Sequence, residues 1–512
     1  MEGVRGAAIP MAATEAVALI PDGATVAVGG FVGAGHPELL TAALEERFLQ
    51  TGTPSGLTLV YAAGQGDREH RGLNHLAHKG LLKRVIGGHW NLAPKLGQLA
   101  LENHIEAYNL PQGVLCVLLR EIAAKRPGVF TRVGLHTFID PEVSGGRLNQ
   151  RTQDPLVERV TLDGETYLRY RAFPITACLI RGTRADRLGN ISMDREALIG
   201  DCLPIAQAAK NHGGLVIAQV EEIVDRIADP KSVRVPGILV DGLVVAEKKD
   251  HWQTFGEEFN PDYVCSAHGV TPSFVPLPFS ERKIIARRAL QEISRGSVVN
   301  LGIGLPESLA SVAAEEKRLA DFTLTVESGP IAGVPASGLS FGCSQFPEAI
   351  IDQASQFDFF DGGGIDVAAL GAVEIDGLGN VCVSQMAERF AGVGGFINIS
   401  QNAQTVLFCF SFTAGGLGVE ASHGGLSICR EGKHRKFVEA VSQICFHAPT
   451  ASISGQKVLY ITERAVLRLT PKGLELVEIA PGVDLEREVL ALMPFTPIIN
   501  QIHQMPACCF QL

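Results

Sequence analysis

A chain of 512 residues that is 46% hydrophobic can bury two to four cores, and its composition is that of a globular protein rather than a disordered one. Its net charge of −11 argues against non-specific nucleic-acid binding and against an anionic membrane surface, while leaving room for a small anion held by backbone N–H groups. There is no run of 18 apolar residues, the opening MEGVRGAAIPMAATEAVALI makes a poor signal or transit peptide, and the 11 cysteines are scattered without a CxxC; a cytoplasmic protein with reduced thiols, no membrane and no nucleic acid is expected.

Residues 14–20, TEAVALI, predict a short helix with Thr14 as N-cap. Pro21-Asp22-Gly23 is a turn and ATVAV a buried strand. Gly29, Gly30, Gly33 and Gly35 form a loop, and Pro37-Glu38 opens a helix. Strand, glycine loop and helix in that order often cradle phosphates, although the spacing is neither a P-loop nor GxGxxG. LTLVYAAG (57–64) is a second strand. His75 and His78 stand three residues apart with no third ligand nearby, which disfavours a metal site. KRVIGGHWNLAPKLGQLA predicts a strand, a glycine turn and a helix. IEAYNLPQG (105–113) is a strand ending at Pro111-Gln112-Gly113, and VLCVLLREIAAKRPG an apolar helix stopped by Pro127-Gly128. From about 137 to 170 the sequence turns polar and turn-rich, with one hairpin candidate at Asp163-Gly164; it is expected to be an insertion or an arm over a site. Regular structure returns with RADRLGNISM, the helix DCLPIAQAAK and the strand GLVIAQV.

Prolines 261, 272, 276 and 278 mark a linker over 263–279. A new helix then starts with Ser280 as N-cap and an apolar face of Ile284, Ile285, Ala289, Leu290 and Ile293. The second half repeats the first. Gly296, Gly302, Gly304, Pro306, Glu307 and Leu309 parallel Gly23, Gly29, Gly35, Pro37, Glu38 and Leu40. ADRLGNISM (185–193) parallels IDGLGNVCV (375–383), and VPGILVD (235–241) parallels APGVDLE (480–486). Strands alternate with helices, so the fold class is α/β, with two tandem domains and largely parallel sheets: 1–262 with the 137–170 insertion, the linker, and 280–512. A terminal hairpin over 465–479 adds an antiparallel piece.

Within the second domain, TLTVESGPIAGVPASGLSFGCSQ (323–345) places Glu327 where a strand ends in a long glycine-rich loop. In open α/β sheets that is where chemistry sits. Asp358 and Asp361, in FDFFDGGGID, read as a solvated turn rather than a metal site.

At this point the chain resembles the class I coenzyme A transferases, in the single-chain form that acts on acetate, propionate and similar acids. VGGFVGAGHPEL (28–39), NLGIGLP (300–306), VESGPIAG (326–333) and GVGGFINI (392–399) carry the likeness, together with the longer run GLNHLAHKGLLKRVIGGHWNLAPKLGQLALENHIEAYNLPQGV. The resemblance implies two domains of the coenzyme A transferase (NagB/RpiA-like) fold. It also implies a glutamate nucleophile at Glu327 and a contributing side-chain amide at Gln112. Gly392, Gly394 and Gly395 would then be backbone donors and CoA contacts, Gly302 and Gly304 would line the CoA channel, and Gly29, Gly30 and Gly33 would face the acyl side. The partners implied are acyl-CoA and short carboxylic acids, in a homodimer or homotetramer. No metal or redox cofactor is implied, CoA being a substrate and a transient covalent adduct. The insertion is expected near the acyl side.

Glu327 at its reference pKa of about 4.3 would be ionised at pH 7 and would need no base. Two departures stand out: Ser328 where Ala is expected, and Ala332 where Gly is common. The tail NQIHQMPACCFQL also departs from the usual ending. An acyl-CoA hydrolase using the same Glu is the alternative function, separated by whether water enters the site. A ligand-sensing domain of the same fold would need no carboxylate at 327 and would carry a DNA-binding element, and no helix-turn-helix candidate precedes residue 14.

Overall fold

The computed structural model of the protein describes residues 8–266, 276–386, 389–422 and 424–511. Packing divides the chain into two compact units. The first comprises Met1–His268, Val326–Asp358 and Ala387–Asn398; the second comprises Gly269–Thr325, Phe359–Met386 and Ile399–Leu512. The change of unit at residue 268 falls inside the proline-rich 263–279 stretch, of which 267–275 lie outside the described residues. Two segments from the second half of the sequence, 326–358 and 387–398, therefore pack with the first half.

Seven strands build the sheet of the first unit: β1 (Thr25–Val28), β2 (Leu57–Tyr61), β3 (Leu82–Gly87), β4 (Glu106–Asn109), β5 (Ala177–Arg181), β6 (Leu215–Val220) and β7 (Gly242–Val245). Their order is β7-β6-β5-β1-β2-β3-β4, with the short strand Ile9–Pro10 beyond β7, and every pairing is parallel. Parallel strands need covered crossovers, so central strands lose the in-out alternation of a half-exposed sheet. β5 is buried at every position.

The second unit repeats this arrangement with β8 (Val298–Leu301), β9 (Thr323–Thr325), β10 (Val367–Leu370), β11 (Thr405–Cys409) and β12 (Lys457–Ile461). The parallel order β12-β11-β10-β8-β9 matches β7-β6-β5-β1-β2 of the first unit. The expected hairpin follows β12 as β13 (Ala465–Thr470) and β14 (Gly473–Ile479), both antiparallel.

The repeat extends to single hydrogen bonds. Gly29 N donates to Leu179 O at 3.1 Å, and Gly302 N to Ala369 O at 2.9 Å. Asp186 Oδ1 accepts from the N–H groups of Leu188 and Asn190 while Oδ2 accepts from Asn190 Nδ2; Asp376 does the same for Leu378 and Asn380. Each Asx-clamped turn turns on a left-handed glycine, Gly189 at φ 84° or Gly379 at φ 93°. The pairing of 235–241 with 480–486 does not hold. Asn190 Oδ1 accepts from Gly237 N, whereas Asn380 Oδ1 accepts from Ala448 N, so the second clamp holds a different segment.

The first predicted helix spans Ala13–Ala18, with Ala12 rather than Thr14 at the N-cap; Glu15 Oε2 accepts from Ala12 N at 2.9 Å. The loose 137–170 stretch contributes to a small antiparallel sheet of Gly128–Thr131, Val157–Leu162 and Glu165–Arg171. Its hairpin turns at Asp163 (φ 51°) and Gly164 (φ 83°), the two positive φ values that a two-residue type I′ turn requires. Buried Asp140 fastens the rest, accepting from Arg159 Nε at 2.8 Å and Nη2 at 2.6 Å and from the N–H groups of His136 and Glu142. Gly146 O accepts from Asn109 N at 2.8 Å, which lays the insertion against the carboxyl end of β4.

Candidate active site

β4 ends at Asn109, and Pro111 (φ −59°) leads into the helix Gln112–Ala123. Gln112 is thus the first residue of a helix, not a residue of an open turn, and it is buried. The segment 391–394 is laced to this corner. Ala391 O accepts from Trp90 N and Asn91 N, Asn109 Oδ1 accepts from Val393 N at 3.1 Å, and Gly394 O accepts from Gln112 N at 2.9 Å. Gly394 N donates to Gly88 O at 2.8 Å. Gly392 has to be glycine: its φ is 79°, and a Cβ there would stand 2.9 Å from His89 Cα.

Glu327 lies two residues past β9, in a tight turn where Val326 N donates to Pro330 O and Gly329 N to Val326 O, both at 3.0 Å. Its carboxylate sits against Gly395. A Cβ on Gly395 would fall 2.4 Å from Glu327 Oε2 and 3.1 Å from Phe357 Cζ. Burial pushes the Glu327 carboxyl from its ordinary 4.5 up to about 7, and the Gln112 side-chain amide opposes this by favouring the charged form. The expectation of an ordinary, fully ionised carboxylate at neutral pH is corrected: desolvation among protein groups replaces the water that would hold it charged. Gln112 Nε2 is buried and committed to no other described group, so Glu327 is the group on which its amide acts.

Both departures in this loop have a structural consequence. Ser328 Oγ donates to Gly342 O, tying the two arms of the loop together. Ala332 has φ 62°, in the left-handed region where a Cβ is penalised and glycine is not. Ala332→Gly is expected to stabilise the protein by about 0.5–1 kcal/mol, strain relief outweighing the added freedom of the unfolded chain. Thermal unfolding should show a higher Tm; an unchanged or lower Tm would refute the strain.

The residues singled out from sequence fall into three groups. Glu327, Gln112, Gly394 and Gly395 come together, with Gly392 behind them. Gly394 is not a free backbone donor, because its N–H is committed to Gly88 O. Gly29, Gly30 and Gly33 pack against protein. A Cβ on Gly33 would lie 2.4 Å from Phe255, one on Gly30 3.0 Å from Gln65 Oε1, and one on Gly29 3.5 Å from Cys202 Sγ. Their loop reaches the Glu327 loop through Phe31, whose ring packs 5.8 Å from that of Phe341. Gly302 and Gly304 belong to the second unit, where Gly304 (φ 94°) has open space at its Cβ position and its carbonyl accepts from Arg282 Nη1 at 3.3 Å.

The metal candidates resolve into ordinary pairs. His75 bridges Glu38 (2.9 Å) and Glu45 (2.5 Å), His78 reaches Glu45 (2.6 Å), and Asp358 pairs with Arg120 (2.6 Å). No cluster of three or more His, Cys, Asp or Glu among the described residues could hold a metal ion, and none of the described helices is long and apolar enough to cross a membrane. His89 is half-buried beside Gly394, and the glycines that make room for its ring are Gly64 and Gly394, both distant from it in sequence.

The coenzyme A transferase family pattern matches residues 10–246. The chain is 43% identical over 497 residues to the caffeate CoA-transferase of Acetobacterium woodii, covering 96% of this chain and 95% of that protein. It is 42% identical over 501 residues to the acetate CoA-transferase YdiF of Escherichia coli strain K12, covering 97% and 94%. The crystal structure of the acyl-CoA transferase YdiF apoenzyme from Escherichia coli O157:H7 superimposes with a TM-score of 0.93 at 40% identity over 100% of this chain and 98% of that one. The same values hold for its thioester complex with CoA. With relatives this similar over nearly their whole length, and an α/β fold of largely parallel sheets in common, the chain belongs to the coenzyme A transferase family.

Proposed function

We propose that Glu327 is the nucleophile of this transferase and that CoA passes through a glutamyl-CoA thioester between a short-chain acyl-CoA and a free acid such as acetate or propionate. The observation that carries this reading is the half-buried Glu327 carboxylate held against Gly395, beside the Gln112 side-chain amide that favours its charged form. The Glu327 carboxylate attacks the acyl-CoA carbonyl; the C–S bond breaks and CoA leaves as thiolate, giving an acyl-glutamyl anhydride. The thiolate attacks the glutamyl carbonyl and releases the acid as its carboxylate. The reverse sequence loads the second acid. Each exchange conserves charge, so the chemistry calls for no metal, redox group or base.

Every step passes through a tetrahedral oxyanion, and Gln112 Nε2 is the side-chain donor we assign to it. Gly392 shapes the turn behind it, Gly394 anchors Gln112, and Gly395 makes room for the carboxylate. Gly302 and Gly304 are assigned to the CoA channel. Gly29, Gly30 and Gly33 are assigned to the acyl side, acting through Phe31. We also propose a cytoplasmic homodimer or homotetramer, with the sequence halves 1–262 and 280–512 as the duplicated domains.

Initial rates with both substrates varied should give parallel double-reciprocal lines. Intersecting lines, with both substrates bound at once, would refute the ping-pong route. CoA release without acceptor at a rate matching transfer to acetate would instead identify a hydrolase. A panel of C2 to C6 acids, with a hydroxycinnamic acid added because one relative is a caffeate enzyme, identifies the acid.

A further inference from the structure

His89 follows β3 on the turn before the helix Pro94–Leu101, pinned by the pairing of its backbone with Gly392. Its ring fits where two glycines leave room. The Cβ position of Gly64 is 2.6 Å from Nδ1, and that of Gly394 is 3.9 Å from Cδ2 and 3.5 Å from Gln112 Oε1. The ring and the Gln112 amide thus flank the same backbone, one residue from the glycine that touches Glu327.

Nδ1 is buried and has no hydrogen-bond partner among the described residues. Burial, helped by the charge of Arg68, pulls the imidazole down to about 4, so the ring is neutral at pH 7. A neutral ring carries one proton. An orphaned buried N–H costs more than an orphaned lone pair, which places the proton on Nε2. Nε2 adjoins Cδ2, the ring carbon that lies 3.9 Å from the Cβ position of Gly394.

We propose that His89 is a catalytic residue of the acid-binding side: its Nε2–H donates to a carboxylate oxygen of the acid substrate and, in the reverse half-reaction, to the acyl oxygen of the thioester. The ligand class is a monocarboxylic acid. Two neutral donors, His89 and Gln112, hold its oxygens without supplying a cation that would pair with Glu327 and blunt its attack. This rests on the assignment of Glu327 made above.

The test starts from enzyme loaded with acyl-CoA, freed of small molecules, and then mixed with acetate in a single turnover. His89→Leu keeps side-chain bulk without the donor; His89→Gln keeps an N–H donor. His89→Leu should lower the second-order rate constant for acetate about ten- to a hundredfold, with the glutamyl-CoA adduct still reaching full mass yield, and His89→Gln should recover most of the loss. Reaction of the Leu variant within twofold of wild type would overturn the proposal. So would a Gln variant as slow as the Leu variant, since that pattern reports ring packing alone. If the Leu variant does not fold, the Gln variant decides: retained acetate reactivity supports the donor, and a loss of tenfold or more at unchanged Tm refutes it. Should wild type itself yield no adduct on Glu327, the nucleophile assignment fails separately, and the steady-state KM for acetate in the two variants still decides the role of His89.

Discussion

Glu327→Ala is expected to abolish transfer, to below about 10⁻⁴ of the wild-type rate, because it removes the carboxylate that forms the anhydride. Glu327→Gln should be nearly as inactive, since an amide is a poor nucleophile. Wild type incubated with acyl-CoA and no acceptor should carry a CoA adduct on the peptide containing Glu327, read by intact mass and peptide mapping. An adduct on Cys343 would overturn the assignment, although that thiol is fully buried and its burial holds it protonated. So would an Ala variant that keeps most of its activity.

The elevated carboxyl adds two signed consequences. Only the carboxylate attacks, so with the group at about 7 adduct formation should rise about tenfold from pH 6 to pH 8. A carboxyl raised in the folded state binds its proton more tightly folded than unfolded. Its effect on stability is therefore neutral to favourable below the unfolded value, and stability falls as pH rises from about 4.5 to about 7. Glu327→Gln removes that loss. The variant should melt above wild type at pH 8, by up to about 3 kcal/mol in stability, and close to it at pH 4. A Gln variant less stable than wild type at pH 8 would show that the carboxylate is not desolvated.

The fold was legible because its strongest constraints are local. Gly23 and Gly296, Gly35 and Gly304, and Gly189 and Gly379 recur because each pair adopts the same left-handed backbone, and the Asp186 and Asp376 clamps recur because five residues suffice to close them. The alternation of apolar strands with helices then prescribes parallel sheets. What escaped depends on contacts distant in sequence. Nothing local in 326–358 or 387–398 announces that these segments pack with the first unit. The commitment of the Gly394 N–H to Gly88 O joins residues over three hundred positions apart. The Glu327 carboxyl reads as ordinary in sequence because desolvation belongs to its surroundings, not to its neighbours along the chain. His89 is silent in the sequence for the same reason: a buried ring nitrogen without a partner among the described residues shows only once every candidate partner has a position.

Gly395→Ala is expected to slow adduct formation by about 10²–10³ while leaving the fold in place. The new methyl would stand 2.4 Å from Glu327 Oε2, closer than any real contact, so something must move. Phe357 is fixed in the core, 0% exposed, and cannot give way. The Glu327 carboxylate is the free end of a flexible side chain and moves at little cost in stability. Gly395 does not lie in the left-handed region, so alanine adds no backbone strain. The penalty therefore falls on attack geometry, where a displacement of about 1 Å can cost about a hundredfold. Gly394→Ala supplies the contrast. Its φ of 52° charges the methyl as strain, about 1–2 kcal/mol, but the space beside it extends 3.5 Å to Gln112 Oε1, so stability should fall more than the rate of adduct formation. The two variants should separate cleanly, one losing rate at nearly constant Tm and the other losing Tm at nearly constant rate. A Gly395→Ala enzyme that forms the Glu327 adduct at the wild-type rate would show that the carboxylate does not react from the position it occupies against this glycine.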